Sequence, residues 1–426
     1  MHKNAAERQV KVMVAHPEQQ HSYRLAGALE QASMLDSYVT TVYYGKRSLT
    51  RLITAALPER WAHKARSRKT DELSEEQIIQ LCEGEGLLKL LCQNSSRLRR
   101  WYYTVKLHVA DRFARKAARL AISRRVDAVV AFDGTSPLLF EILERDAPQI
   151  VRILDMSGAN LLYTRQIYER DLELQPDYAE MLKKERQVVW NPKRQERSRR
   201  EIASAQYFLC GSEFVVRSLA FSDVEPSHCE LCPYGVDIEQ FKYAPHDVPA
   251  ADKPIRCIFV GGTKEHKGVS YLLQAFEKVG AETAKLTIVG AVTLPAELRT
   301  KYQDIVTFVG MLPHDEIPQI MSEHDLLVMP SLSEGFSLTI LEAMACGLPV
   351  ICSQNSGAVG VIEDGVEGYF VPIQDTDALV NRIRWFDANR DLIPVMGASA
   401  RATAERHTWV HYSQEVADAI TRCISG

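Results

Sequence analysis

The sequence predicts an α/β protein built from two similar halves, each a parallel sheet covered by helices on both faces. Two patterns indicate this class: short apolar runs rich in β-branched residues alternate with helical patterns, and the alternation starts again in the second half. Length is a third indication, because 426 residues exceed what a single hydrophobic core usually holds. We therefore expect one domain at residues 1–205, a second at 206–405 and a terminal helical segment at 406–426.

The first half begins with a strand, a polar loop at residues 16–22 and a helical pattern at 23–35. Residues 46–125 and 161–205 are mostly helical and charged. The middle of the latter stretch, 183–201, has almost no apolar stripe, so we expect it to lie along the surface. The strands of this half are predicted at residues 9–15, 39–44, 126–132, 150–154 and 206–210.

The second half repeats the alternation of strands and helices, with a clear helical pattern at residues 269–279. Residues 244–254, rich in proline and polar side chains, form the most linker-like segment. Ligands bind at the carboxyl ends of strands in such sheets, so we expect a binding cleft between the halves. The strands of this half are predicted at 229–232, 255–260, 285–289, 306–309, 325–330, 348–352 and 369–371.

The composition, with 46% hydrophobic and 25% charged residues, is that of an ordinary globular protein. No uninterrupted apolar run reaches the roughly 18 residues of a membrane span, and the polar first ten residues carry no secretory signal. The nine cysteines lie singly except for Cys229 and Cys232, which no second metal-ligand pair accompanies. We favour reduced thiols over half of a zinc site, and a cytoplasmic protein.

Charge is divided unequally between the two halves. Residues 1–200 contain 35 Lys and Arg against 25 Asp and Glu, a net +10, whereas residues 201–426 contain 16 against 30, a net −14. The basic residues concentrate at 46–69 and at 97–125, where aromatic residues such as Trp101 are interleaved. This mixture suits an anionic membrane surface or a polyanionic acceptor, and the alternative is a solvated helix face. The sequence leaves both open, and we expect no nucleic-acid partner.

One segment of the second half has the pattern of a phosphate site. In residues 330–353, PSLSEGFSLTILEAMACGLPVICS, a strand ends at Pro330, a loop follows, and an apolar helical pattern runs from Leu338 until Gly347 ends it. The backbone N–H groups near Phe336 are then unpaired donors of a helix N-terminus. Such a terminus accepts phosphate through its free donors and its dipole.

Two glutamates flank the start of this predicted helix. Glu334 lies in the loop before it and Glu342 lies one turn inside it, so both are positioned to reach a single bound molecule. Two glutamates at this spacing are common by chance. Glu342, however, has apolar helical neighbours, where an unpaired carboxylate is costly. It therefore needs a partner, and the hydroxyl groups of a ribose would serve.

The run 334–349, with Pro330 and Ser331 before it, resembles the signature of glycosyltransferase family 4, retaining enzymes of the GT-B fold. The likeness covers essentially all of 205–412, and over 1–200 it is only architectural. It implies two Rossmann-like domains that face each other across a cleft, with the final helix crossing back to the N-terminal domain. Further matches are FVGGTKEHKGVSYLLQAF (259–276), KLTIVGA (285–291), VTFVGML (306–312), DGVEGYFVP (364–372) and PYGVDIEQF (233–241), in which Tyr234 replaces an asparagine.

The resemblance implies a role for each matching residue. Lys267 would pair with the donor diphosphate, where a cation opposes the charge that grows on the leaving group. Glu334 would contact the transferred sugar and Glu342 the ribose. No metal or cofactor is implied, because the lysine and the helix dipole supply the positive charge. The rest of the implied donor site consists of Gly261, Gly262, Gly310, Leu312, Gly335, Phe336, Ser337 and Leu338.

The chain departs from the family pattern at two positions. Gly262 stands where the family usually has an arginine, which leaves Lys264 or a cation of the N-terminal domain as alternative sources of that charge. The loop after strand 150–154 lacks the histidine that many members place in the catalytic site, and Asp155 is the nearest substitute. Polar loop residues more often serve turns and caps. With that alternative open, the acceptor-side candidates are His16, His21, Asp133 and Asn160.

The sequence therefore predicts a retaining, metal-independent hexosyltransferase that moves a sugar from a UDP- or GDP-linked donor to a glycan or lipid-linked acceptor. We expect it to act in bacterial surface polysaccharide or glycolipid synthesis, at the inner face of the membrane. The alternative is a catalytically weak donor-binding partner subunit, which Gly262 and the absent histidine keep open.

Overall fold

The computed structural model describes residues 9–19, 21–54, 59–95 and 97–426, without the side chains of residues 59–61 and 64. Several sequence predictions therefore fall partly outside the described residues. They are the polar N-terminus (1–8), the first loop (Gln20) and the first basic stretch (55–58).

Within the described residues, the first half forms a seven-stranded parallel sheet. Its strands are β1 (Val12–Ala15), β2 (Leu35–Thr40), β3 (Ile78–Gln80), β4 (Ala128–Phe132), β5 (Val151–Met156), β6 (Tyr207–Cys210) and β7 (Cys229–Leu231), in the order β3-β2-β1-β4-β5-β6-β7. Its helices are α1 (Ser22–Gln31), α2 (Leu49–Thr54), α3 (Glu59–Arg66), α4 (Glu83–Asn94), α5 (Tyr102–Arg124), α6 (Pro137–Asp146), α7 (Leu161–Leu174), α8 (Ala179–Glu185), α9 (Pro192–Ser204) and α10 (Glu213–Leu219).

The second half forms a parallel sheet of six strands in the part of the chain that the structure describes. The strands are β8 (Ile255–Val260), β9 (Ala284–Val289), β10 (Val306–Gly310), β11 (Leu326–Met329), β12 (Val350–Ser353) and β13 (Gly368–Val371), in the order β10-β9-β8-β11-β12-β13. The helices are α11 (Val269–Val279), α12 (Ala296–Tyr302), α13 (Ile317–Ser322), α14 (Leu338–Cys346), α15 (Thr376–Ala388), α16 (Leu392–Arg406) and α17 (Trp409–Ser425).

Both sheets are buried on their two faces, which explains the nearly continuous apolar runs of their central strands. All residues of β1, β4 and β11 are buried, because helices cover both sides of a doubly wound sheet. The predicted class, two parallel sheets with alternating helices, is confirmed. The strand order of each sheet reverses next to its first strand, β1 or β8, and ligands bind beside such points in folds of this kind.

Two strands of the first half differ from the prediction. The strand predicted at 39–44 lies at Leu35–Thr40, because α1 ends at Gln31, Ser33 adopts a positive φ of 56°, and Leu35 pairs at once with Val12. The three-residue edge strand Ile78–Gln80 was not predicted. It is short and only partly buried, so it leaves almost no periodic pattern.

The predicted domain boundary at residue 205 divides the first sheet. β6 pairs with β5, and β7 pairs with β6, so both belong to the first sheet although they follow residue 205. The first unit thus continues to Leu231, and the segment before β8 contains the linker-like residues 244–254. Sequence patterns identified the strands but not their neighbours, because strand pairing joins residues about 50 positions apart.

The final helix crosses back to the first half, as the resemblance implies. α17 packs against α1 and shares a hydrophobic core with β1 and β4. Trp409, at its first turn, stacks on Tyr234 with ring centroids 6.4 Å apart and lies 4.9 Å from the Arg24 guanidinium. Trp409 is therefore a packing residue.

Residues 183–201 do not lie along the surface throughout. Val189 is fully buried, and Arg197 and Glu201 are 9% and 2% exposed. The segment lacks a continuous apolar stripe because part of it faces polar groups at the carboxyl ends of the first sheet. The prediction was wrong for these residues, and the error matters because the segment lines the cleft.

The second basic stretch, 97–125, is mainly an amphipathic core helix. Val109 and Phe113 of α5 are buried, and basic residues of its other face pair with acids, as Arg112 does with Glu85 at 2.7 Å. Of the two alternatives that the sequence left open for this stretch, the solvated basic helix face therefore applies to α5 itself. None of the described helices combines the length and the hydropathy that a bilayer span requires.

Candidate active site

Loops from the two halves enclose a cavity of about 340 Å3 at the carboxyl ends of the strands. The first half contributes the loops after β4 and β5, the start of α7, and the segment from Arg186 to Glu201. The second half contributes His266 and residues 333–335. The volume lies in the range of small-molecule sites, roughly 300–1,000 Å3.

The two halves touch closely at the edge of this cavity. A Cβ atom on Gly335 would lie 2.3 Å from the carbonyl oxygen of Ser157, so only glycine allows the two backbones to approach this far. The Ser212 hydroxyl donates a hydrogen bond of 2.5 Å to the Gly335 carbonyl. The loop before α14 is therefore held against the first half.

Glu334 and Lys267 form an ion pair on the side of the second half. The Lys267 ammonium lies 2.8 Å from Glu334 Oε1, and the Ser331 hydroxyl donates to Oε2 at 2.9 Å. The two side chains are 18% and 21% exposed, and Glu334 lines the cavity. Lys267 ends a short 3-10 helix, Glu265–Lys267, after which Gly268 adopts a φ of +73° and starts α11.

The N-terminus of α14 has the donor arrangement expected of a phosphate site, with one correction. The N-cap residue Ser337 makes no side-chain cap, and among the described residues its carbonyl accepts only from the Ile340 amide, at 3.0 Å, so the amide of Leu338 is not satisfied by it. The amide of Ser337 itself donates to the Ser356 carbonyl at 3.0 Å. Ser337, whose amide the sequence predicted to donate a hydrogen bond to phosphate, thus donates that N–H within the protein. Phe336 and Leu338 flank it.

Glu342 lies on the first turns of α14, as predicted, and it has a protein partner. Its Oε1 lies 3.1 Å from Nε2 of His314, a side chain that is 62% exposed whereas that of Glu342 is 14% exposed. Burial raises the pKa of Glu342, and the contact with His314 partly offsets this. The exposed imidazole can be displaced by a ligand hydroxyl group.

The glycine loop after β8 lies beside the loop after β9. A Cβ on Gly290, whose φ is +141°, would lie 2.3 Å from the Gly261 carbonyl oxygen. A Cβ on Gly262 would meet Ala291 O at 3.5 Å and Cε of Lys264 at 3.6 Å, which are ordinary contacts. The stem of Lys264 thus covers the position of the missing side chain.

Gly310 and Leu312, the predicted neighbours of a nucleobase, follow directly along the same edge. The Gly290 amide donates to the Gly310 carbonyl at 2.8 Å, and Gly310 has a φ of +88° at the end of β10. Leu312 is half-buried against the core of the second half. The loops after β8, β9 and β10 therefore form one continuous rim.

On the first half, the structure brings a histidine to Asp155. Nε2 of His21, from the first loop, lies 2.9 Å from Asp155 Oδ1, and the Tyr234 hydroxyl lies 3.2 Å from the same nitrogen. Burial disfavours the His21 imidazolium, but the Asp155 carboxylate outweighs it and raises the pKa of His21. Asp155 is 4% exposed and does not line the 340 Å3 cavity, whereas Asp133 does.

Two acceptor-side candidates have structural roles instead. Asn160 caps α7, because its Oδ1 accepts from the Leu162 amide at 2.9 Å while its Nδ2 donates to Ser222 at 2.7 Å. His16 is 1% exposed, packs 4.5 Å from the Phe132 ring, and burial lowers its pKa to about 3. Neither side chain reaches the cavity, so both predictions are corrected.

Asp133 lies on the cavity wall and is joined to the loop after β5. The Ser157 hydroxyl donates to its Oδ1 at 2.6 Å, and burial raises the pKa of Asp133. Glu201 lies nearby, where it accepts from the Gly134 amide at 2.7 Å. Burial and the charge of Asp133 raise the pKa of Glu201 to about 8.

A family model described as Glycosyl transferases group 1 matches residues 254–389, from the linker-like segment to α15. This span contains Lys267, Glu334, Glu342 and the loops that surround them. We call residues 254–389 the group 1 domain because they match this family model.

Curated relatives of this group 1 domain include a glycosyltransferase of amylovoran biosynthesis, AmsK of Erwinia amylovora. It is 32% identical over 195 residues, which are 42% of this chain and 47% of the relative. A putative colanic acid biosynthesis glycosyltransferase, WcaL of Salmonella typhimurium, is 29% identical over 174 residues, 38% of this chain and 42% of the relative. The chain thus spans less than half the length of these relatives.

Solved structures resemble the whole chain rather than the group 1 domain alone. Sucrose-phosphate synthase from Thermosynechococcus elongatus gives a TM-score of 0.66 at 17% identity, over 98% of this chain and all of the other. The apo form of the lipopolysaccharide outer core galactosyltransferase WaaB gives a TM-score of 0.63 at 15% identity, over 97% of this chain and 99% of the other. At this identity the likeness shows the fold alone, which is GT-B.

The group 1 domain forms only one wall of the cavity, and the opposite wall was largely missed from sequence. Arg186, Arg194, Ser198 and Glu201 line it, all from the segment predicted to lie on the surface. The available signal was the combination of charged residues with a missing apolar stripe. A segment of that kind is either solvated or lines a polar cavity, and the sequence does not distinguish the two.

Proposed function

We propose that the protein is a retaining glycosyltransferase that moves a hexose-type sugar from a UDP- or GDP-linked donor to a hydroxyl group of a glycan or glycolipid acceptor. One observation carries this proposal: the Lys267 ammonium and the Glu334 carboxylate lie 2.8 Å apart, next to the loop that leads into α14, and Glu334 lines the interdomain cavity. The names of AmsK and WcaL support a role in polysaccharide synthesis.

In this proposal the donor diphosphate binds between Lys267 and the first turn of α14, because both supply positive charge. Binding separates Lys267 from Glu334, and the freed carboxylate then accepts hydrogen bonds from hydroxyl groups of the transferred sugar. The lysine and the helix terminus stabilise the departing diphosphate, so we expect no requirement for a metal ion or another cofactor.

The remainder of the donor lies along the rim of the second half. Glu342 accepts from the ribose hydroxyl groups in place of the exposed His314, and Gly310 and Leu312 flank the base. Since these contacts are mainly backbone and loop shape, they suit either uracil or guanine.

The first half receives the acceptor and faces the anomeric carbon. Positive charge develops on the transferred sugar in the transition state. Asp133 reaches the cavity directly, whereas Asp155 is enclosed by His21 and Tyr234, whose ring lies 5.3 Å from Phe336. We therefore assign to Asp133 the contact with sugar, and to Asp155 the positioning of the loop before α14.

The test is release of nucleoside diphosphate when purified protein is mixed with UDP-glucose, UDP-galactose or GDP-mannose. We expect slow hydrolysis of one donor, and loss of roughly 100-fold or more in Lys267→Met or Glu334→Gln. Lys285→Met is the matched control, because Lys285 is an exposed lysine near the start of β9, at the other end of the sheet. Proton NMR of a glycoside product reports whether the anomeric configuration is retained.

Binding of a donor without any turnover, even after addition of membrane extract, would contradict the catalytic proposal. That result would favour the donor-binding partner subunit. Failure to bind any of these nucleotides would contradict both.

We also propose that the first half docks on an anionic membrane surface that carries the acceptor. Between α2 and α4 lies an apolar groove of about 560 Å3 that reaches Gln19 of the first loop. Leu88 lines this groove, Leu52 precedes the groove residue Ile53 on α2, and Trp101 follows α4; these three side chains form an apolar patch and are 48%, 72% and 52% exposed. Exposed basic residues lie near them in sequence, at Lys46, Arg47, Arg51, Arg97, Arg99 and Arg100.

A further inference from the structure

The cavity wall formed by the first half carries two arginines, Arg186 and Arg194, that the donor site described above does not use. Arg186 precedes the short 3-10 helix Gln187–Trp190, and Arg194 lies in the first turn of α9. Both line the cavity together with Glu334 of the opposite wall. They lie across the cavity from the group 1 domain that supplies Lys267.

Arg194 is fixed against the loop after β4. Its Nη1 donates to the Gly134 carbonyl at 3.0 Å, and a Cβ on Gly134 would lie 2.7 Å from Nη2, so the absence of a side chain there makes room for the guanidinium. The φ of Gly134 is +79°, which also favours glycine. The orientation of this guanidinium is therefore set by the backbone of the first half.

Arg186 is also held in place, and no described carboxylate neutralises its positive charge. Its guanidinium lies 5.7 Å from the centre of the Tyr168 ring, a cation–π arrangement that orients the group and leaves its charge intact. Among the described residues, Nε of Arg186 and Nε of Arg194 are both buried and have no hydrogen-bond partner. The protein therefore leaves part of the hydrogen-bonding capacity of both guanidinium groups unused, and both residues line the cavity.

The described acids near the cavity do not form ion pairs with these two arginines. In the described part of the chain, no carboxylate oxygen lies within ion-pair distance of Arg186 or Arg194. Glu334 is already paired with Lys267. Asp133, Glu201 and Glu334 line the same cavity, where burial raises the pKa of Asp133 and raises that of Glu201 to about 8. Both guanidinium groups therefore remain without a carboxylate partner among the described residues.

We propose that the cavity is a subsite for the carboxylate of an acidic sugar, a hexuronic acid, held by Arg186 and Arg194 beside Glu334. This inference rests on the proposed function, because it concerns one of the two sugars that meet at Glu334. A planar guanidinium matches a carboxylate with two parallel hydrogen bonds, and the hydroxyl of Ser198 lines the same wall. The diphosphate is held at Lys267 on the other wall and does not require these arginines.

The carboxylate can belong to the donor sugar or to the acceptor, and two arms of one experiment distinguish them. In the donor arm, kcat/KM for hydrolysis is compared between UDP-glucuronate and UDP-glucose, and between GDP-mannuronate and GDP-mannose. In the acceptor arm, binding of methyl glucuronide and methyl glucoside to protein saturated with UDP or GDP is measured by titration calorimetry. We expect the acidic sugar to be preferred in one of the two arms.

Arg186→Gln and Arg194→Gln should each reduce that preference at least about tenfold, the effect of one charge-assisted hydrogen bond, without changing the affinity for UDP or GDP alone. Arg194→Lys should lose most of the preference although it keeps the charge, because an ammonium lacks the planar fork. Arg165→Gln is the control, since Arg165 lies on α7, pairs with Glu169 and does not line the cavity. Thermal melting verifies the folding of each variant, and Arg186→Gln and Arg194→Lys remain informative if Arg194→Gln does not fold.

Equal or weaker use of the acidic sugar in both arms by the unaltered protein would overturn this inference. A loss of UDP or GDP affinity equal to the loss of sugar preference would also overturn it, because the arginines would then serve the diphosphate. Failure of the proposed function is a different result, either nucleotide binding without turnover of any donor or absence of nucleotide binding. Methyl glucuronide binding can still be compared among the variants in that case.

Discussion

At the scale of single residues, the ion pair between Lys267 and Glu334 is the feature from which the proposed chemistry follows. The two side chains are 18% and 21% exposed, so the pair is largely shielded from water, and removal of one partner of such a pair is costly. In the proposed function a diphosphate replaces Glu334 at Lys267, and hydroxyl groups of the sugar replace Lys267 at Glu334. Neither charge is then left without a partner.

The first prediction concerns Lys264, whose stem covers Gly262, where the resembled family usually has an arginine. No described carboxylate pairs with Lys264, so its ammonium is available to the diphosphate. We expect Lys264→Met to lower kcat for donor hydrolysis roughly tenfold. This is less than the roughly 100-fold effect of losing a buried hydrogen-bond donor to the diphosphate, because Lys264 is exposed. The measurement is the rate of nucleoside diphosphate release.

Rescue separates this role from a structural one. The double variant Gly262→Arg, Lys264→Met should recover most of the activity, because a side chain at 262 meets only ordinary contacts. Lys285→Met again provides the control for loss of an exposed lysine. An unchanged rate in Lys264→Met would show that the positive charge comes from elsewhere.

At the scale of secondary-structure elements, the predicted bounds agree best with the structure where glycines mark both ends of a helix. The strand Ile255–Val260 and the helix Val269–Val279 have the predicted bounds, because Gly268 and Gly280 adopt positive φ values of 73° and 87° at the two ends of the helix. Edge strands without such markers, Ile78–Gln80 and Cys229–Leu231, were missed or placed in the wrong sheet.

The second prediction belongs to α2 and α4. We expect Leu52→Glu and Leu88→Glu to weaken co-sedimentation with phosphatidylglycerol vesicles several-fold, because each places a carboxylate on the apolar patch that faces the anionic surface. Thermal stability should stay unchanged, since both side chains are exposed. Donor hydrolysis in solution should also be unaffected.

Val395→Glu is the matched control for this experiment. Val395 is a 59% exposed apolar residue of α16, which lies in the second half. Equal loss of vesicle binding in all three variants would argue against a specific surface. Absence of salt-sensitive binding by the unaltered protein would contradict the membrane proposal.

At the scale of the whole molecule, the two halves are locked by the return of α17. Gly235 allows this, because a Cβ there would lie 2.3 Å from both Thr408 C and Trp409 N. The Val236 amide donates to the His407 carbonyl at 2.9 Å beside it. The crossing thus depends on a close approach between backbones that are about 170 residues apart in sequence.

The third prediction is that Gly235→Ala destabilises the protein by about 1–3 kcal/mol, because the backbone of the crossing segment has to move. Urea unfolding measures the effect. Gly84→Ala is the control, since a Cβ on Gly84 of α4 meets nothing within 4 Å, and it should be neutral or slightly stabilising. Equal stability of the two variants would show that α17 adjusts without cost.

The sequence by itself determined the parallel-sheet class, the helix N-terminus at Leu338 and the positions of Glu334 and Glu342 at the start of that helix. These features follow from local periodicity and from short segments whose chemistry is complete within a few residues. The resemblance of residues 205–412 added the donor site, and the matched span of 254–389 lies inside that range.

Only the tertiary structure decided which residues of the first half meet that site. It brought His21 to Asp155, gave Asn160 a capping role, and placed Arg186 and Arg194 on the cavity wall. Each of these contacts depends on the ends of different strands lying side by side, or on segments far apart along the chain. No local pattern encodes such neighbours, because strand order and the packing of the two halves are settled only when the whole chain has folded.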